Sequence, residues 1–167
     1  MAGSTYRATW GKALRYVSWF CVALGFIIPG TVYFAAHQGH RDWLLVGGLY
    51  WGIVLIAALF TVRGYRIEPN VLAIERLLWT TRLPLTGLQS AEFLPEAMRG
   101  SIRLWGNGGM FSITGWYRNR KLGSYRAFAT NLQQTVVLQF AGRTVVVTPE
   151  NPEPFVTEIS RFAFRTA

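Results

Sequence analysis

The sequence predicts an α+β chain: a two-helix transmembrane hairpin near the N-terminus, then a small, mostly β domain closed by a C-terminal helix. Three observations lead there. Two charge-free runs of about twenty residues stand almost back to back. After Gly64 the apolar residues change from helical to strand-like spacing. Helix-start signals then gather at Asn151-Pro152-Glu153, behind the last strand-like run.

The first run, Tyr16 to Ala36 (YVSWFCVALGFIIPGTVYFAA), has twenty-one residues without a charge. At about 1.5 Å per residue it reaches roughly 31 Å, enough for a hydrocarbon core of about 30 Å. Trp43 to Val62 supplies twenty more. Only HQGHRD separates them, so the helices must lie antiparallel. The expected order is a cytoplasmic tail over 1–13, a hairpin over 14–63 with spans at 14–36 and 43–62, and a β domain over 64–167. A cleaved signal peptide has a shorter apolar core, roughly 7–15 residues, and small residues at its cleavage site. This run ends in bulky Tyr33 and Phe34. A soluble helical pair needs a polar outer face, which neither run offers. Tyr16, Trp19, Tyr33, Phe34 and Trp43 suit headgroup-level anchors. Pro29-Gly30 is expected to bend the first helix, and Gly48 with Gly52 to let the two helices approach closely.

Charge sets the orientation. Arg7, Lys12 and Arg15 precede the first span and Arg63 and Arg66 follow the second, whereas the loop has only Arg41, offset by Asp42. Positive-inside bias puts both termini in the cytoplasm of a multi-pass inner-membrane protein.

In the β domain, Tyr65–Glu68 reads as a strand and Pro69-Asn70 as a turn. A longer strand is expected over Val71–Thr80 and another over Leu88–Phe93, after Pro84 and Gly87. The glycine-rich middle, Pro95 to Leu122, predicts short strands around Ile102–Leu104 and Phe111–Ile113. Ser124–Thr130 follows. Then Thr135–Phe140, an Ala141-Gly142 turn and Arg143–Thr148 form the clearest hairpin. Asn151 is a candidate cap, Pro152 suits the first helical position, and Glu153 suits the first turn. Phe155, Val156, Ile159, Phe162 and Ala163 form one stripe, so a helix over about 152–165 is expected to cover one end of a small barrel of antiparallel strands.

Two spans, seven or so strands and one closing helix resemble the bacterial pleckstrin-homology-like membrane proteins. The local likeness lies in GYRIEPNVLAIER, TRLPLTGL, WGNGGMFSITGWY, SYRAFATN and VVVTPENPEPFVTEI, from Gly64 to about Phe162. The resemblance implies a PH-like split β-barrel capped by a C-terminal α-helix, a scaffold used for headgroups, peptides or self-assembly. Inositide binding does not follow from the fold.

The formal charge is +9, and fifteen of the seventeen basic residues are Arg. Between Glu96 and Glu150 no acid occurs, while Arg99, Arg103, Arg118, Arg120, Lys121, Arg126 and Arg143 do. Arg118 to Lys121 is a compact basic loop, with Trp105, Phe111, Trp116 and Tyr117 as candidate membrane-interface aromatics. Each basic side chain beside an anionic leaflet contributes about 1 kcal/mol, enough to orient a tethered domain. Arg99, Arg103, Arg118, Arg120, Lys121 and Arg126 are therefore the expected contacts to headgroups or to an acidic protein partner. A solvated basic face is the bland alternative. Homo-oligomerisation or a place in a larger membrane assembly is the structural one. Nucleic-acid binding by a basic, aromatic barrel is a third, disfavoured by the membrane tether.

No reaction is indicated. Gly106-Asn107-Gly108-Gly109 matches neither phosphate-loop pattern and precedes no helix, so a turn is expected. His37, His40 and Asp42 are too few for zinc, and no metal or cofactor is expected. The two His lie across the bilayer from the domain, which removes a Ser/His/Asp set. Glu92 and Glu96 are expected to be solvated. The single Cys21 excludes a disulfide within the chain and suits apolar packing.

Overall fold

A computed structural model describes residues 4–35 and 42–163. The chain opens with a strand, β1 (Ser4–Arg7), inside the expected cytoplasmic tail. That expectation is corrected by tertiary pairing: four polar residues make a strand only because a partner edge awaits them. α1 (Lys12–Ala35) runs unbroken through Pro29, and α2 (Asp42–Leu59) returns beside it. Of the described residues, Lys12–Phe34 is long and apolar enough to cross a membrane, and the apolar stretch Trp43–Leu59 is shorter. α2 ends before the expected Val62 because Val62 is fully buried in the β core and opens the next strand. His37 and His40 lie outside the described residues, as do the last two positions of the expected C-terminal helix.

The helices touch at different glycines from those expected. A Cβ on Gly25 would stand 2.9 Å from the Tyr50 ring, and one on Gly47 would stand 3.2 Å from Pro29, whereas Gly48 and Gly52 have nothing within 4 Å. The Tyr50 hydroxyl donates to the Cys21 carbonyl at 2.5 Å. Phe20, Phe26, Leu45, Leu49 and Leu55 point outward from the pair.

Among the described residues ten strands form two sheets. β1, β2 (Val62–Glu68), β3 (Val71–Arg76) and β4 (Thr80–Pro84) make an antiparallel four-stranded sheet in chain order. The expected Val71–Thr80 strand is thus two strands, turned at Leu77-Leu78-Trp79, where three large apolar residues stand exposed. Asn70 takes the left-handed turn position at φ 60°, which Asn tolerates.

The second sheet uses β5 (Leu88–Phe93), β6 (Ile102–Gly108), β7 (Ile113–Asn119), β8 (Gly123–Ala129), β9 (Val136–Phe140) and β10 (Arg143–Val147), in the order β5-β9-β10-β8-β7-β6. The glycine-rich middle is a full hairpin, longer than the expected fragments. β8 and β10 pair in parallel, Val145 opposite Arg126, against the antiparallel expectation. The β9–β10 hairpin folds back so that β10 fills the place beside β8.

The main core lies between the sheets. Tyr65, Leu72 and Ile74 meet Phe128, Leu138 and Val147, and α3 (Pro152–Ser160) adds Phe155 and Ile159. Ala97, Met98, Tyr125, Val137 and Val146 form a second cluster on the outer face of the six-stranded sheet. Coverage on both faces explains why VVL and VVV run apolar without alternation. Asn151 precedes α3 without a side-chain cap bond, unlike the expected cap.

β1 is stitched on at several points. Its register runs from Ser4 opposite Ile67 to Arg7 opposite Gly64. Beyond it, Ala8 N–H donates to Arg63 O at 3.0 Å and Gly11 N–H to Thr130 O at 2.9 Å. Tyr6 packs edge-on against Phe155 and donates to Glu158 Oε2 at 2.6 Å. Removing β1 uncovers Phe155 and the edge of β2. A fragment beginning at Val62 should therefore lose roughly 2–4 kcal/mol in urea unfolding. Residues 4–11 rejoined to Val62 by a short Gly-Ser linker should recover that stability.

Tyr65 donates to Phe128 O at 2.6 Å and accepts from Thr148 N–H at 3.1 Å. Burial pushes its phenol up to about 12 from 10.0. Burial, then the bond to Glu158, pushes Tyr6 up to about 12 as well. The folded chain keeps protons that the unfolded chain releases, so this stability is complete below about pH 10 and lost as pH rises toward 12. Denaturation midpoints should be level up to about pH 10 and fall above it, with Tyr65→Phe flattening part of the fall.

Candidate functional site

β6, β7 and β8 stand beside the C-terminal turns of α2, and the space between them is a cleft of about 710 Å³. Ile53, Ile56 and Phe60 form its helical wall. Opposite stand Leu104, Trp105 and Trp116, all exposed. The turn between β6 and β7 fixes this geometry: Phe111 N–H donates to Ser18 Oγ of α1 at 2.9 Å, and Ser112 Oγ donates to Phe60 O at 3.0 Å. Trp10 lies 6.0 Å from the Phe111 ring.

The cleft floor is made of glycine. Gly106 and Gly115 face one another across β6 and β7, and a Cβ on Gly115 would lie 2.1 Å from Trp105 O. Both have positive φ, 116° and 140°. A bulge after Arg103 puts Leu104 and Trp105 together opposite one stretch of β7 and turns Trp105 outward.

Three arginines line the cleft: Arg76, Arg103 and Arg126. Arg76 is buried, with its guanidinium carbon 5.5 Å from the Phe60 ring, 5.6 Å from Trp79 and 5.3 Å from Phe128. Its Nε donates to Thr81 Oγ1 at 3.2 Å and one Nη to Phe60 O at 3.0 Å. Arg126 stands 4.9 Å from the same Phe128 ring. Among the described residues none of the three makes a salt bridge; the ion pairs there are Arg66–Glu75 and Arg99–Glu96. Desolvation, and after it the Arg126 charge, pushes Arg76 below its ordinary value. It stays charged. Arg76 also borders a smaller cavity of about 370 Å³ with Tyr6, Arg7, Arg63 and Glu75.

The structure divides the residues singled out from sequence. Arg103, Arg126, Trp105 and Trp116 come together at the cleft. Arg118 follows Trp116 by two residues on β7, about 7 Å of strand, and Arg120 and Lys121 lie in the turn beyond Asn119, outside the cleft lining. Arg99 is beside them, because Asn119 Nδ2 donates to Ala97 O at 2.8 Å and ties the two turns together. Tyr117 is buried: alternation along β7 turns it into the second cluster, where it stacks on Tyr125 and donates to Asn107 O at 2.7 Å. Phe111 is half-buried against Trp10 and α1 rather than free at a tip. Arg76 was invisible in sequence, since one Arg closing a strand has no distinguishing neighbour. A further groove of about 620 Å³ on the helix pair, near Pro29 and Trp51, has a mostly apolar lining.

Residues 63–162 match the family model described as bacterial PH domain, which covers β2 through α3 and leaves β1 and the helix pair outside. No curated protein and no solved structure matches.

The floor must stay free of side chains. Gly115→Ala should cost roughly 2–4 kcal/mol in chemical denaturation, since its methyl would meet backbone. Gly142→Ala, with nothing within 4 Å, should change stability by less than about 0.5 kcal/mol.

Proposed function

The chain belongs to the bacterial PH-domain family, and on that premise we propose that it is a membrane-anchored interaction module that meets anionic headgroups at the base of its helix pair. In this reading α1 and α2 both span the bilayer, the termini are cytoplasmic, and the β domain rests against the inner leaflet. The observation that carries it is the cleft itself, with arginines lacking acid partners on one side and an apolar helix on the other.

Two further features support the reading. The chain enters α1 and leaves α2 beside paired strands, so both ends of the helix pair share one side of any membrane they cross. Large apolar side chains face outward along both helices, as contact with lipid requires and water opposes. At about 1.5 Å per residue α2 reaches roughly 27 Å, within a few ångströms of the hydrocarbon thickness. A PH domain is an interaction scaffold, and no catalysis is proposed.

A second reading concerns the far turn. Arg99, Arg120 and Lys121 gather at the β7–β8 turn, outside the cleft lining, which favours an acidic protein partner there over the chain's own leaflet.

Single-cysteine labelling tests the topology. In a Cys21→Ser background, Ser4→Cys and Arg120→Cys should be shielded from a membrane-impermeant thiol reagent in intact cells and labelled in inverted vesicles. Labelling of Arg120→Cys from outside the cell rejects the proposal. Arg118→Glu with Arg120→Glu and Lys121→Glu should leave membrane insertion unchanged and abolish co-purification of any acidic partner.

A further inference from the structure

We propose that the cleft between α2 and β6–β8 is a built site for one phosphate-type oxyanion carried on an apolar chain, the oxyanion on the Arg76–Arg126 pair and the chain along Ile53 and Phe60. The inference deepens the headgroup reading and rests on it: a saturable pocket stands where a diffuse basic surface would have sufficed.

Two guanidinium groups, Arg76 and Arg126, approach one Phe128 ring at 5.3 and 4.9 Å. Their charges repel, and Arg76 is buried with no carboxylate bonded to it among the described residues. A buried cation is ordinarily paired, and leaving one unpaired is costly. The aromatic cage of Phe60, Trp79 and Phe128 offsets part of that cost, and an anion bridging the arginines would offset more. Bonds from Nε to Thr81 and from Nη1 to Phe60 O also hold the Arg76 guanidinium in place before any ligand arrives, and Nη2 is in neither bond.

The rest of the cleft selects the ligand's body. The Gly106–Gly115 floor gives clearance that any side chain would remove. Ile53, Ile56 and Phe60 have no polar group to offer, so a free inorganic ion would leave this wall unused. A phosphate ester with an acyl chain uses both halves. Arg is suited to such an oxyanion, because its planar fork donates two parallel hydrogen bonds.

Full-length protein in neutral detergent micelles would be titrated with short-chain phosphatidic acid, with diacylglycerol of the same chain length, and with inorganic phosphate. Trp105 and Trp116, two of the seven tryptophans, line the cleft, so its fluorescence signal is the part lost in a Trp105→Phe, Trp116→Phe protein. Phosphatidic acid should bind saturably, at least about tenfold tighter than inorganic phosphate, and diacylglycerol should not saturate. Arg126→Gln, at an exposed position, should weaken phosphatidic acid about tenfold, whereas Arg120→Gln with Lys121→Gln should not change it. Arg76→Gln should abolish binding. Should that variant not fold, Arg126→Gln decides. Equal affinity for phosphate and phosphatidic acid would overturn the lipid assignment and leave a soluble phosphate as the source. Absence of saturation, or indifference to Arg126, would overturn the site. Micelles impose no orientation, so this result and the cysteine labelling can fail independently.

Discussion

Ser4–Arg7, which precede the first long helix, pair with Gly64–Ile67, which follow the second. Every other relation between the helix pair and the β domain depends on that ladder. It closes the segment 8–63 into a loop and makes the helix pair an insertion between adjacent strands of one sheet. A helix pair tethered at one end would swivel. One whose two ends enter paired strands is held by backbone hydrogen bonds on both sides, with Gly11 bonded to Thr130 and Ala8 to Arg63 as further points.

The same ladder brings the cleft into being. With the helix ends fixed, the last turns of α2 lie against the outer strands of the second sheet, and Phe60 becomes a wall and a hydrogen-bond acceptor for Arg76 and Ser112 at once. The β6–β7 hairpin can approach because Gly106 and Gly115 bring their backbones close together. Arg76 then finds itself enclosed by rings from the helix end, the β3–β4 turn and β8, places distant in sequence. A charge in that position costs free energy that the cage offsets only in part. A local departure from the most stable packing of this kind is characteristic of functional sites.

Membership of the bacterial PH-domain family accounts for the chain from β2 to α3 and is silent on the parts before it. Those outlying parts supply one wall of the cleft and the strand that completes the first sheet. The interaction scaffold is thus common to the family match, while the helix wall and β1 are built from residues outside it.

Much of this was legible in the sequence. The length and apolarity of the two runs, the Ala141-Gly142 hairpin, the Leu88–Phe93 strand and the Phe155–Ile159 stripe each follow from spacing, which acts locally. Arg103, Arg126, Trp105 and Trp116 were marked out by composition alone. What escaped was whatever depends on a distant partner: β1, whose four polar residues carry no strand signal; the parallel seat of β10 beside β8; the inward turn of Tyr117; and the burial of Arg76. Local periodicity determined which segments are helix, strand or turn, because hydrophobic spacing and backbone preference are properties of a few neighbouring residues. Only the tertiary structure decided which arginines share a cleft and which stand at the far turn, because that choice is fixed by long-range pairing across the inserted helices.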